Sequence, residues 1–193
     1  MRVLVLYAHP VEESFGAALH RAVVDTLRGN GHVVDDCDLY AEGFDPVLSR
    51  EERLGYHSVP DNVAPVADHV ERVRRADAVI LVHPVWNFGF PAILKGYFDR
   101  VFLPEVSFKI RDGRVSGALE NIHTLMSVCT YGADRIRAFV LGDPPRKIVT
   151  RMFRNTISPK GRVKYLALYD MNRSTDQKRA AFLARVTAEV ARL

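Results

Sequence analysis

The sequence lacks long apolar runs and a cysteine framework. None of its 193 residues fall in an apolar stretch of about 18 or more positions, so no membrane-spanning helix is expected. The start, Met1–Leu6, has the pattern of a strand and is too short for a secretory signal. The two cysteines, Cys37 and Cys129, are far apart and lack metal-ligand spacing, which indicates reduced thiols. We therefore expect a cytoplasmic protein without direct membrane insertion.

Motifs that depend on fixed spacing are also missing. No Gly-Lys-Thr of an ATP-binding phosphate loop occurs, and no Gly-x-Gly-x-x-Gly follows a strand, which argues against ATP-binding and Rossmann sites. The seven histidines are scattered, so no metal is expected. The net charge is +4, yet helix-turn-helix, zinc-finger and ribonucleoprotein patterns are absent, so nucleic-acid binding is not expected.

The positive charge is concentrated in one region. Its basic residues are Arg146, Lys147, Arg151, Arg154, Lys160, Arg162 and Lys164. Such a region is either a solvated face or a surface that attracts a phosphorylated cofactor.

Apolar runs alternate with amphipathic segments along the chain. The first run, Val3–Tyr7, is continuous, which indicates burial on both faces, as in a parallel sheet. Strands are predicted over Arg2–Ala8, His32–Leu39, Asp77–Val82, Ile122–Cys129 and Val163–Tyr169. Helices are predicted after the N-cap Ser14, over Ala64–Arg75, Ala92–Phe102 and Lys147–Ile157, and after a capping box at Ser174–Gln177.

This order predicts a single α/β domain over residues 1–193. We expect a flavodoxin-like, doubly wound sheet of five parallel strands in the order 2-1-3-4-5, with helices on both faces. Two connections are predicted without regular structure. Tyr40–Asn62 is long enough to suggest a functional loop, and Leu103–Glu120 contains a turn at Arg111–Gly113.

Three loops follow strands that would be neighbours in such a sheet. The first, His9–Phe15, ends at a helix N-terminus, which favours an anion such as a phosphate. The second, Pro84–Phe88, offers a flat aromatic platform that includes the only tryptophan. The third, Cys129–Gly132, offers backbone N–H donors that suit the N1/O2 edge of a flavin. Together they predict a flavin nucleotide site, although each loop alone also fits a purely structural role.

Several segments resemble a known family. They are Ala8–Pro10 with Ser14–Phe15, Asp38–Ala41 with Phe44–Pro46, and above all Pro91–Phe102. Over about residues 2–132 the chain resembles the NAD(P)H:quinone oxidoreductases of the flavodoxin-like fold. That group includes bacterial modulators of drug activity and ancillary subunits of potassium-efflux systems.

The resemblance implies a homodimeric flavoenzyme with active sites at the subunit interface. NAD(P)H would pass a hydride to flavin N5 and leave, and a quinone-like acceptor would then take it in a ping-pong exchange. Nitro- and azo-compounds are further acceptors to consider. By the same resemblance, His9, Ser14 and Phe15 would hold the phosphates. The ring contacts would be Pro84, Val85, Trp86, Asn87, Phe88, Cys129, Thr130, Tyr131 and Gly132, and Asn87 and Phe88 would also border the substrate.

The third loop departs from the family pattern. Better-known members have two threonines and two glycines there, followed by a Tyr and a His that relay protons, whereas this chain has Cys129–Gly132. The later positions fall near Arg137 and Asp143. Tyr131 is therefore the candidate catalytic hydroxyl, and Arg137 the candidate for electrostatic stabilisation.

Some alternatives stay open. FAD is favoured over FMN because the first loop has few hydroxyl and amide groups and because Tyr40–Asn62 can shelter an adenosine. NADPH is favoured over NADH only by the positive surface, so the choice between the two donors stays open. A flavin-binding electron carrier is a different function, but such carriers tend to be acidic and this chain is basic. A regulatory subunit of a membrane transporter is the third functional hypothesis.

Overall fold

The computed structural model describes all residues, Met1–Leu193. Five parallel strands form one sheet in the order β2-β1-β3-β6-β7, and β4 and β5 form a separate hairpin. The strands are β1 (Arg2–Tyr7), β2 (Val33–Asp38), β3 (Ala78–Val85), β4 (Phe108–Arg111), β5 (Arg114–Gly117), β6 (Thr124–Tyr131) and β7 (Arg162–Leu168). Without the hairpin, this is the predicted order 2-1-3-4-5, so the predicted flavodoxin-like sheet is confirmed.

Helices cover both faces of the sheet. They are α1 (Phe15–Gly29), α2 (Arg50–Gly55), α3 (Ala67–Arg75), α4 (Ala92–Val101), α5 (Arg135–Val140), α6 (Pro144–Lys147) and α7 (Asp176–Val190). Short 3₁₀ turns cover Asp61–Val66, Phe153–Asn155 and Met171–Arg173, and one π-helical turn covers Ile148–Met152. None of these helices combines the length and the apolar character needed to cross a bilayer.

The central strands are buried on both faces. Leu4 and Leu81 point to a core shared with α3 and α4, whereas Val5 and Ile80 point to a core shared with α1 and α7. Because side chains alternate along a strand, a strand between two helical layers needs apolar residues at every position. Each fully buried Leu, Ile or Val contributes roughly 1.5–3 kcal/mol of stability. The continuous apolar runs of the sequence therefore specify the centre of this sheet.

Strand β3 is longer than predicted, and the reason lies in its neighbours. It pairs with β1 only as far as Val82, opposite Tyr7, but continues alongside β6 to Val85, opposite Tyr131. Beyond Val82 one side of β3 is therefore an edge. An edge tolerates Pro84, which lacks a ladder donor. The prediction that the strand ends at Val82 is wrong by three residues, and the extra residues carry the chain to the rim of the sheet.

The long connection Tyr40–Asn62 is more ordered than predicted. It contains α2, which begins with a capping box: Ser49 Oγ accepts from Glu52 N–H at 3.1 Å, and Glu52 accepts from Ser49 N–H at 2.9 Å. Arg100 of α4 donates to Glu52 at 2.8 Å, and both side chains are mostly buried. The Ser-x-x-Glu pattern was present in the sequence and signals this helix.

Other predicted boundaries need correction. The segment Leu103–Glu120 is not irregular, because β4 and β5 pair there around a turn with positive φ at Asp112 and Gly113. The turn itself was predicted correctly. The continuous helix predicted over Lys147–Ile157 is wrong, since this stretch is a π-helical turn followed by a 3₁₀ turn. The last helix is capped by Thr175, which accepts from Lys178 N–H at 3.3 Å, one residue later than predicted.

Candidate functional site

The three predicted loops meet in one cleft of about 670 Å³ at the carboxyl edge of the sheet. Parallel strands end at the same edge, so loops that follow neighbouring strands converge there. The lining residues are His9, Ser14, Phe15, Gly16, Pro84, Val85, Trp86, Asn87, Phe88, Thr130, Tyr131, Gly132, Ala133, Met171 and Asn172. Every predicted cofactor contact is among them except Cys129.

The first wall is the start of helix α1. Ser14 caps the helix, because its hydroxyl accepts from Ala17 N–H at 3.1 Å. The N–H groups of Phe15 and Gly16 have no partner within the protein, as is usual in a first helical turn. These free donors and the helix dipole make this wall suitable for an anion.

His9 completes the first wall. Its Nδ1 accepts a hydrogen bond of 3.1 Å from Val11 N–H, so Nε2 carries the proton in the neutral ring. Burial lowers the pKa of His9, which favours this neutral form. The ring meets the edge of Trp86 at a centroid distance of 5.7 Å, so the first two walls are in contact.

The second wall is a tight turn at the end of β3. Trp86 and Gly89 exchange two backbone hydrogen bonds of 2.8 and 3.2 Å, and the residues between them, Asn87 and Phe88, have φ of 49° and 56°. Two central residues with positive φ define a type I′ turn. A non-glycine residue in this left-handed backbone conformation costs about 1–2 kcal/mol, and a bulky Phe rarely adopts it. The turn holds Trp86 41% exposed at the cleft. Strain combined with an exposed aromatic ring marks this turn as a functional candidate.

The third wall follows β6. The N–H groups of Gly132 and Ala133 have no partner within the protein. Asp170 N–H donates to the carbonyl oxygen of Ala133 at 2.9 Å, which joins this loop to the 3₁₀ turn after β7. That turn brings Met171 and Asn172 into the cleft. Both were missed from the sequence, although β7 ends at the same sheet edge and its following loop was a signal for them.

Tyr131 lines the cleft, but its hydroxyl lies in a cluster of polar side chains. It donates to Asp143 Oδ1 at 2.6 Å and lies 2.5 Å from the hydroxyl of Tyr165. Tyr169 donates to Asp143 Oδ2 at 3.0 Å. Burial raises the pKa of Tyr131 and of Tyr165, so both phenols remain protonated at neutral pH. The cluster therefore holds a proton donor in a fixed place beside the cleft.

Two other candidates do not reach the cleft. Cys129 is fully buried below it, with Sγ 3.6 Å from the carbonyl oxygen of Leu166, and burial raises the pKa of its thiol to about 12. It is packed with Val85 and Ala138 instead of facing a ligand. Arg137 is exposed and pairs with Asp134, with Nε 3.4 Å from Oδ2. Neither residue lines the cleft.

A buried histidine supports the second wall from behind. His83 Nε2 lies 3.0 Å from Ser127 Oγ, and Nδ1 lies 2.9 Å from the carbonyl oxygen of Pro84. Burial lowers the pKa of His83 to about 4, so the ring is neutral at pH 7. In that state Nδ1–H donates to the carbonyl group and Nε2 accepts from Ser127. This contact could not be predicted from the sequence, because Ser127 is far from His83 along the chain.

One cluster of possible metal ligands lies elsewhere. Ligand atoms of Cys37, Glu42 and His69 lie within 4.8 Å of one another. Arg72 donates to Glu42 at 2.7 Å and to Asp35 at 2.7 and 2.9 Å, so a guanidinium already neutralises these carboxylates. We interpret the cluster as an ion-pair network between α3 and β2.

Comparison with known proteins gives one family. Residues 1–190 match the family described as having a flavodoxin-like fold. A Haemophilus influenzae protein named an uncharacterized NAD(P)H oxidoreductase is 37% identical over 124 residues, which cover 63% of this chain and 60% of the relative. NAD(P)H dehydrogenase [quinone] 1 of Cavia porcellus is 32% identical over 149 residues, which cover 69% of this chain and 54% of that protein.

The chain thus spans less than two thirds of the length of these two curated relatives. Among solved structures, an NAD(P)H:quinone oxidoreductase from Methanothermobacter marburgensis superimposes with a TM-score of 0.83 at 26% identity. That comparison covers 99% of this chain and 98% of the other. The similarity to the archaeal protein therefore extends over the whole fold, including the loops after β6 and β7.

Proposed function

The chain belongs to the flavodoxin-like fold family, and from that membership we propose that it is a flavin-dependent NAD(P)H:quinone oxidoreductase. The observation that carries the proposal is the composition of the cleft. An anion-binding helix start, an exposed aromatic turn and unpaired backbone donors face one volume of about 670 Å³. This volume is within the usual range for a cofactor site, roughly 300–1,000 Å³.

The residues present fit a flavin nucleotide. Phe15 N–H, Gly16 N–H and the Nε2–H of His9 would hold its phosphate. Trp86 and Phe88 would lie against the ring system. When bound, the flavin supplies the hydride chemistry that links NAD(P)H to the acceptor.

The third wall has an electrostatic task in this proposal. Gly132 and Ala133 would donate their unpaired N–H groups to the edge of the ring where negative charge grows on reduction. Tyr131 is the candidate catalytic residue, and its hydroxyl, which burial keeps protonated, would supply a proton there. In this proposal NAD(P)H and the acceptor would use the same face of the ring in turn, as ping-pong exchange requires.

FAD is the proposed form of the cofactor, with FMN as the alternative. A hollow of about 360 Å³ shares His9 with the cleft and is also lined by Tyr40 and Ala41. It adjoins the proposed phosphate-binding wall, so the adenosine of FAD has a place to extend. The remainder of the Tyr40–Asn62 connection is anchored on α4 through the Glu52–Arg100 ion pair. Only its first residues would contact the cofactor.

A quinone is the proposed acceptor because it is flat and matches the aromatic turn, and nitro- and azo-compounds share that property. A homodimer is supported by an apolar patch on α5, where Ile136 and Val140 are each 75% exposed. Apolar patches of this kind mark protein contacts. The unpaired thiols Cys37 and Cys129 support the proposed cytoplasmic location.

An anaerobic titration tests the proposed function. The flavin-loaded protein is titrated with NADPH and, separately, with NADH, while the visible absorbance of the flavin is followed. We expect rapid bleaching that a quinone reverses. A protein that binds flavin but is bleached by neither nucleotide would instead be a carrier or a regulatory subunit.

A further inference from the structure

A smaller pocket, of about 280 Å³, lies beside the cleft and is strongly cationic. Its charged lining consists of Arg135, Arg146, Lys147 and Arg151 against a single carboxylate, Asp143. A pocket lined by one sign of charge concentrates ions of the other sign. The roles proposed above for flavin binding and proton transfer do not involve these four cations.

None of the four cations forms an ion pair within the protein. No carboxylate oxygen lies within 4.0 Å of the charged nitrogens of any of them. By contrast, the nearby Arg173 pairs with Asp170 at 2.9 Å. Unpaired like charges repel one another, so a cluster of four is unfavourable unless an anion binds among them.

Some of these charges are held in position. The Arg146 guanidinium lies over the ring of Tyr165, at 5.3 Å from its centroid. Lys147 Nζ lies over Gly142, where a Cβ atom would come within 3.3 Å of it. Arg151 lies in the π-helical turn Ile148–Met152, and such turns are rare and frequently occur at functional sites. The pocket is thus a built site and not only a run of basic residues.

The single carboxylate does not cancel the positive charge. Both oxygens of Asp143 accept from tyrosine hydroxyls, Oδ1 from Tyr131 and Oδ2 from Tyr169. The carboxylate is therefore anchored to the tyrosine cluster, and the cations on the other side of the pocket stay available.

The place of the pocket in the sheet separates it from the proposed flavin phosphates. Those phosphates would lie after β1, and the hollow proposed for an adenosine lies between the loops after β1 and β2. The cationic pocket lies on the opposite side of the cleft, beyond the loop after β6: Ala133 lines the cleft, and Arg135 lines the pocket. Its anion is therefore a different one from the flavin phosphate.

We propose that this pocket binds the 2′-phosphate of NADPH and makes the enzyme prefer NADPH to NADH. This inference rests on the proposed function, because it assigns the electron donor of that site. A phosphate monoester carries about two negative charges near neutral pH and offers three acceptor oxygens, which suits several arginine and lysine donors at once. NADH has only a hydroxyl at the same position.

The experiment uses the flavin-loaded protein and the double variant Arg135→Gln/Arg151→Gln. Calorimetry measures the binding of adenosine 2′,5′-bisphosphate and of adenosine 5′-monophosphate, which differ only in the 2′-phosphate. The KM values for NADPH and NADH are measured in parallel. We expect the variant to bind the bisphosphate about tenfold or more weakly and to raise the KM for NADPH similarly. The KM for NADH, kcat and flavin retention remain unchanged.

A matched control removes two positive charges elsewhere. Arg114 in β5 and Arg185 in α7 are exposed and have no ion-pair partner, so Arg114→Gln/Arg185→Gln is expected to keep the NADPH preference. The inference is overturned if the two double variants behave alike, or if the wild-type protein binds both adenosine nucleotides equally. It is also overturned if Arg135→Gln/Arg151→Gln loses flavin without a change in nucleotide preference. Failure of the proposed function looks different: no nucleotide then reduces the flavin, while the calorimetry still decides on the pocket.

Discussion

Tyr131 donates a 2.6 Å hydrogen bond to Asp143, and this contact joins the cleft to the cationic pocket. Tyr131 is the last residue of β6, and Asp143 is the left-handed residue, with φ of 46°, that precedes α6. The strand end and the start of the basic segment are thus fixed relative to each other.

Replacing Tyr131 by Phe tests its proposed catalytic role. The change removes the hydroxyl but keeps the ring, so we expect quinone reduction to slow by about 10²-fold. Stability falls by about 1–3 kcal/mol because a charged acceptor loses one donor. Turnover is measured with the holoenzyme, and the free energy of unfolding by urea titration.

Tyr169→Phe is the matched control for that experiment. It removes the other tyrosine donor to Asp143, but Tyr169 does not line the cleft. We expect a comparable loss of stability with turnover retained. If Tyr131→Phe keeps the wild-type turnover, the catalytic assignment of Tyr131 is abandoned.

The type I′ turn predicts that Ala and Gly at position 87 affect stability differently. Asn87 is exposed with φ of 49°, a conformation that Gly adopts freely and Ala does not. Asn87→Ala is therefore expected to lower the free energy of unfolding by about 1 kcal/mol, whereas Asn87→Gly leaves it nearly unchanged.

Both variants lose the amide that would border the substrate, so both are expected to raise the KM for the quinone. This pair separates the conformational role of Asn87 from its chemical role. A KM that rises only in the Ala variant would assign the effect to the shape of the turn and not to the amide.

The sheet and the position of the cleft were predictable from the sequence. The continuous apolar run of β1 indicates burial on both faces, and polar or aromatic residues directly after β1, β3 and β6 indicate a site at the carboxyl edge. The segment Pro91–Phe102 indicated the family, and that prediction is confirmed by the match over residues 1–190. These features depend on the order of apolar and polar residues within short segments, which can be read from a single sequence.

The partners of the site residues were not predictable in the same way. The contact of Tyr131 with Tyr165, or of His83 with Ser127, depends on which strands are neighbours and on their register. The hairpin of β4 and β5 is a different case, because the sequence carries a signal for it that was missed: Phe108 and Ile110 alternate with basic residues just before the turn Asp112–Gly113. Cys129 illustrates the limit: its place in the chain is correct for a cleft residue, yet its side chain lies in the core.

We expect the protein to lose stability in mild acid because His83 is buried as a neutral ring. Its pKa is about 4 in the folded protein against an ordinary value of 6.5, so between these values the unfolded chain binds more protons. Stability is therefore complete above about pH 6.5, falls between pH 6.5 and pH 4 by about 3 kcal/mol in all, and changes little further below pH 4 through this group. Urea unfolding of the wild type and of His83→Gln at pH 7 and pH 4 measures this pH-dependent loss of stability.

The comparison with His83→Gln cancels the titration of the other groups. Gln stays neutral, so the stability difference between wild type and variant should shrink by about 3 kcal/mol as the pH falls from 7 to 4. A difference that does not depend on pH would mean that His83 is not buried as a neutral ring.

Ser14 gives the sharpest test of the proposed phosphate wall, because its capping role and its ligand role respond differently to charge. Asn and Asp are both good N-caps, so Ser14→Asn and Ser14→Asp are expected to keep the stability of the flavin-free protein to within a few tenths of a kcal/mol. Only Asp places a carboxylate where the free N–H groups of Phe15 and Gly16 would meet a phosphate.

We expect Ser14→Asp to weaken flavin binding at least about tenfold at low salt, by like-charge repulsion, and Ser14→Asn to change it little. Fluorescence titration of the flavin-free variants measures both affinities. Equal flavin affinity in the two variants would show that the phosphate does not bind at the start of α1 and that Ser14 acts only as a helix cap.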